Sequence, residues 1–194
     1  MVRFRQLDIS KERGCGMTIY IALLRGINVG GHHKMKMADL KSLLESMGLQ
    51  KVKTYIQSGN VLFESEDGAE QLSKRMENEL NRIFGFPVPV VLRTAEELKQ
   101  LILDCPYSTD SLNEGESVQI AFLGREPARE GIDHMYAYNN EFEECKIKGK
   151  EVYFYFRKSI RDSKLAPQLP KLGVPATVRN WKTVSKLEDL SKSL

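Results

Sequence analysis

The feature that most constrains this chain is the order in which its hydrophobic period changes between residues 18 and 92. An apolar run from Thr18 to Arg25 has the length and β-branched content of a buried strand. Met37, Leu40, Leu43, Leu44 and Met47 then recur at helical spacing, and Gly48 ends the repeat. Val52 to Gln57 and Val61 to Phe63 predict two short strands joined at Ser58-Gly59. Leu72, Met76, Leu80 and Ile83 mark a second amphipathic helix, stopped by Gly85 and Pro87 ahead of a strand from Val88 to Leu92. The order is βαββαβ, a ferredoxin-like unit, and the fold class is α+β.

The second half repeats this less clearly. A helix is expected over Ala95 to Leu103, a strand over Ser117 to Leu123, and a hairpin from Phe142–Ile147 and Val152–Phe156 turned at Gly149. Helical pieces follow near 158–172 and 178–192, the first shortened or broken by Pro167 and Pro170. We therefore divide the chain into a ferredoxin-like subdomain over 17–93 and a second, smaller α+β subdomain over 94–194 that packs on the first. Residues 1–16 show no period and are expected to be a non-native or disordered extension. Lys11 to Gly14 can be encoded by a purine-rich run resembling a ribosome-binding site, so Met17 is the expected native start.

Composition limits the function classes. At 194 residues and 41% hydrophobic, the chain can bury a core without cross-links. No apolar run approaches the roughly 20 residues of a membrane helix and no signal peptide opens the chain, so a cytoplasmic protein without membrane contact is expected. Cys15, Cys105 and Cys145 lack the spacing of a metal or redox motif and are expected to be free thiols. Residues 157–194 hold nine Lys or Arg against three acids, whereas residues 17–156 are net acidic, so any basic surface belongs to the C-terminal end.

Three segments, YIALLRGINVGG from Tyr20 to Gly31, TYIQSGNV from Thr54 to Val61 and TVRNWKTV from Thr177 to Val184, carry a resemblance to a known family. Together they resemble the uncharacterised bacterial family known as domain of unknown function 1697. The resemblance implies a two-part α+β fold in a small bacterial protein, and implies no substrate, cofactor or catalytic residue.

Strand order gives the candidate site. A ferredoxin-like sheet is ordered 4-1-3-2, so the loop from Arg25 to Lys34 should meet the hairpin Gln57-Ser58-Gly59-Asn60 at one edge. That gathers Arg25, Asn28, Gly30, Gly31, His32, Lys34, Gln57, Ser58 and Asn60. Glycines let backbone N–H groups turn toward a ligand, and the following helix directs its positive end there, so an anion is favoured. Arg179 and Asn180 either line the gap between the halves or cap and solvate the terminal helix, while Trp181 reads as a packing residue. The dinucleotide and phosphate-loop glycine patterns are absent. No nucleophile and base form a recognisable pair, and no metal or cofactor is expected.

A small phosphate- or carboxylate-bearing ligand is the first expectation. An enzyme acting on a phosphorylated metabolite, with His32 or Ser58 moving a proton, is the alternative. A nucleic-acid binder using the basic C-terminal end is the third. RNA-recognition domains share the βαββαβ order, but strand 3 here offers only Phe63 for base stacking.

Overall fold

A computed structural model of the chain describes residues 16–194. The expectation for the preceding extension, and for Cys15 with it, lies outside the described residues. The first half runs β1 (Thr18–Leu24), α1 (Met37–Ser46), β2 (Gln50–Tyr55), β3 (Asn60–Ser65), α2 (Ala69–Phe84) and β4 (Val90–Thr94), followed by α3 (Ala95–Leu103). Its four strands form one sheet ordered β2-β3-β1-β4. All pairs are antiparallel, with Leu23 opposite Asn60 across β1 and β3, and Ile21 opposite Arg93 across β1 and β4.

The second half is not the smaller one, since residues 94–194 outnumber residues 17–93, and it is a fuller repeat than its sequence pattern suggests. It runs β5 (Ser117–Leu123), α4 (Arg129–Tyr136), β6 (Glu143–Lys148), β7 (Glu151–Phe156), 3-10 turns at Ile160–Asp162 and Ala166–Leu172, β8 (Ala176–Asn180) and α5 (Trp181–Ser191). The sheet order, β6-β7-β5-β8, matches that of the first half strand for strand. The prolines prevent a regular second helix, and 3-10 turns stand in its place. Residues 176–180 form a strand where a helix was expected from 178. The spacing of Val178, Trp181 and Val184 crosses a strand–helix junction, and the helix begins only at Trp181.

Alternation along each strand sorts the core into layers. Tyr20, Ala22, Leu24 and Phe63 face α1 and α2, meeting Leu40, Leu44, Leu72, Met76 and Leu80. Ile21, Leu23, Leu62 and Val91 point to the opposite face, where they meet Leu98 and Leu101 of α3, Val184 and Leu187 of α5, and Ile120, Phe122 and Tyr153 of the second sheet. The far face of the second sheet packs Phe154 and Phe156 on Met135, Leu165 and Leu172. Helices α3 and α5 therefore lie between two sheets, with further helices or turns outside. The sheet face that an RNA-recognition domain leaves open for bases is covered here. Cys105 and Cys145 are free thiols.

Candidate functional site

The loop after β1 and the β2–β3 hairpin meet at the edge that strand order demands. Leu24 N donates to Gly59 O at 2.8 Å and Arg25 N to Pro89 O at 3.0 Å, extending the sheet by one residue on both sides of β1. Ile27 then folds back and is buried against Gly59. A Cβ added at Gly59 would lie 2.6 Å from Ile27 Cδ1 and 2.8 Å from Leu24 Cβ, so the two loops touch because that residue has no side chain.

Asn28 fastens the contact. Its Nδ2 donates to Gln57 O at 2.9 Å and Met35 O at 2.9 Å, and its Oδ1 accepts from Met35 N at 2.8 Å. Gly30 and Gly31 both have positive φ, at 58° and 80°, as the tightest two-residue hairpin turn requires. The turn closes through His32 N to Val29 O at 3.0 Å and Asn28 N to His33 O at 3.1 Å. His33 is held by Gly26 O at 3.1 Å and stacks on Phe86 with ring centroids 4.5 Å apart.

Of the candidate residues, Arg25, Gly30, Gly31, His32, Lys34, Gln57 and Ser58 stay exposed on this frame, beside the exposed Val29, His33 and Ile56. Among the described residues Arg25 and Lys34 join no salt bridge. Ser58 Oγ accepts from Asn60 Nδ2 at 3.0 Å. The surface is an open rim carrying two cations, two imidazoles, two apolar side chains and loop amides. It can accept an anion and has no assembled nucleophile and base.

Arg179 and Asn60 lie beneath this rim and are committed to each other. Arg179 Nε donates to Asn60 Oδ1, Nη1 to Val178 O at 2.9 Å, and Nη2 to Leu24 O at 2.8 Å and Ser58 O at 2.9 Å. Asn60 Nδ2 also donates to Tyr55 O at 3.0 Å. Every acceptor around this guanidinium is neutral, and burial pulls its pKa down to about 10. Asn180 points elsewhere: its Oδ1 accepts from Thr183 N at 2.8 Å and caps α5. The strand brings Arg179 to the rim from the second half, and Asn180 turns away into the helix.

Sequence reasoning missed the counterpart of Arg179. In the first half Arg93 is the penultimate residue of β4, as Arg179 is of β8, and it reaches across to the second half. Its Nε meets Glu151 Oε1 at 2.8 Å, Nη1 donates to Leu92 O at 2.8 Å, and Nη2 to Leu123 O at 2.8 Å and Lys150 O at 3.1 Å. The signal that could have found it is Arg93-Thr94 beside Arg179-Asn180, each an arginine followed by a helix N-cap residue.

Among the described residues no group of three or more His, Cys, Asp or Glu could hold a metal ion, and no helix is long and apolar enough to cross a membrane. None of the curated proteins matches the chain. A solved structure, that of the conserved bacterial protein SP0830 from Streptococcus pneumoniae, is similar over 91% of this chain and 99% of that one, at 30% identity and a TM-score of 0.73. A family model described as a protein of unknown function, DUF1697, matches residues 17–153. With most of its length matched, including the glycine turn and the hairpin that build the rim, the chain belongs to the DUF1697 family.

Proposed function

We propose that this protein binds a small anionic ligand, bearing phosphate or carboxylate, on the rim formed by residues 25–34 and 57–60. The observation that carries the reading is the Asn28 Nδ2 to Gln57 O bond of 2.9 Å, which makes two loops distant in sequence one surface. Arg25 is the principal contact. It follows directly on a buried strand, its backbone is tied to Pro89 O, and its planar fork can hold an oxyanion through two parallel bonds. Lys34 adds a second positive charge from the same loop. The free, buried thiol of Cys145 fits a reducing compartment and supports a cytoplasmic location.

The test is calorimetric titration of the full chain with inorganic phosphate, pyrophosphate and citrate. Arg25→Ala is expected to weaken the best of these by about 1.5–3 kcal/mol, the scale of a hydrogen bond to a charged group. Lys158→Ala, at the far end of the second sheet, should leave the affinity unchanged. Equal losses in the two variants, or no binding by the wild type, would remove the rim as a site.

A further inference from the structure

The two buried arginines have equivalent partners except at two places: Nε meets Asn60 on Arg179 and Glu151 on Arg93, and Nη2 of Arg179 alone has a further carbonyl, that of Ser58. Leu23 faces Asn60 across β1 and β3, and Phe122 faces Glu151 across β5 and β7, so Asn60 and Glu151 hold the same position in the two halves. The strand ends Leu24 and Leu123 correspond likewise, as do the hairpin carbonyls of Gly59 and Lys150. Arg93 therefore has a carboxylate where Arg179 has an amide. A guanidinium carries five N–H groups. The bonds above use one Nη1 hydrogen on each arginine and leave the other without an acceptor among the described residues.

A buried cation is stabilised by a countercharge far more than by neutral acceptors, and removing one partner of a buried pair is costly. Arg179 is only 9% exposed and has no countercharge of its own, yet it bonds the carbonyl of Leu24, the residue next to Arg25. We propose that Arg179 is the electrostatic floor of the anion rim, and that Asn60, standing where the other half has a carboxylate, keeps that charge available to the ligand. This rests on the rim reading and adds the source of its attraction. The incoming anion supplies to Arg179 what Glu151 supplies permanently to Arg93.

The experiment is a phosphate titration of the full chain in the wild type, Asn60→Asp, Glu151→Gln and Arg25→Ala. Asn60→Asp places a carboxylate against Arg179 and is expected to reduce phosphate affinity at least tenfold. Glu151→Gln leaves Arg93 with neutral acceptors only, beside an existing groove of about 600 Å³ whose charged lining is Lys74, Arg93, Arg125 and Lys150 against Glu70 and Glu77. It is expected to add a second phosphate equivalent, a gain that disturbed packing cannot produce. Asn60→Asp also loses the donor to Tyr55 O and to Ser58 Oγ, and if that variant does not fold, the stoichiometry of Glu151→Gln decides. Loss of binding in Arg25→Ala with unchanged binding in Asn60→Asp would overturn the role of Arg179 and leave the rim. A Glu151→Gln protein that still binds one equivalent would also overturn it, and a wild type that binds none of phosphate, pyrophosphate and citrate would remove floor and rim together.

Discussion

Two glycines of the rim do different work, and the difference is measurable. Gly31 has open space around the position of a Cβ and a φ of 80°, so its requirement is conformational alone. Gly59 has a φ of 77° and, in addition, the side chains of Leu24 and Ile27 within 3 Å of that position. Left-handed strain costs roughly 1–3 kcal/mol for a residue with a side chain. Gly31→Ala is expected to fall at the low end of that range by urea denaturation, and Gly59→Ala at its top or beyond, because Leu24 is fixed in a strand and cannot withdraw. Equal losses would mean that the loops do not need this close approach. Residue types made Arg25, Lys34 and the paired glycines legible in the sequence. The commitment of Asn28 and Asn60 to carbonyls was not, because an amide that ties two loops together and one that greets a ligand look the same in a sequence.

Each half passes from its edge strand directly into a helix. At the first of these junctions Thr94 Oγ1 accepts from Glu97 N at 3.1 Å while Glu97 Oε2 accepts from Thr94 N at 2.9 Å, a reciprocal box that satisfies two otherwise unpaired donors. Thr94→Ala is expected to lower stability by about 1 kcal/mol, with a range of 0.5–2, read as a shift in denaturation midpoint at constant slope. The sequence disclosed these elements unevenly. Helix α2 was legible because three of its side chains, Leu72, Met76 and Leu80, are buried at regular spacing. Helix α4 was missed because it buries only Met135, too thin a stripe to set a period. Strand β8 was absorbed into α5 because no turn residue separates them, and Asn180, the one mark of the boundary, reads equally as a residue of the gap and as a helix cap.

At the scale of the molecule, the interior between and behind the sheets holds protonated acids that resist ionisation. Burial, helped by Glu144, pushes the Cys145 thiol up to about 12 from an ordinary 9.0, and burial raises Tyr107 and Tyr153 well above the usual phenol range. Above about pH 9 the unfolded chain loses the Cys145 proton while the folded chain keeps it. The unfolded state then binds fewer protons, and stability falls as pH rises. The contribution is intact below pH 9 and declines by about 1.4 kcal/mol per unit until about pH 12, with the tyrosines adding in the same direction above 10. Urea midpoints at pH 7.5, 9.5 and 10.5 should decrease in that order, and Cys145→Ala should flatten the first part of the slope. The first sheet could be read from sequence order alone. The equivalence of the second could not, since its second helix is replaced by proline-bearing turns and no shared period survives. The covering of the first sheet by α5 also has a consequence for synthesis. Strands β1 and β3 present an apolar face that is closed by residues 181–191, and the hairpin between β2 and β3 receives its arginine from residue 179. A ribosome making this chain therefore releases the whole first sheet well before the segment that closes it exists, so during synthesis the nascent first half carries an apolar face that other chains can meet.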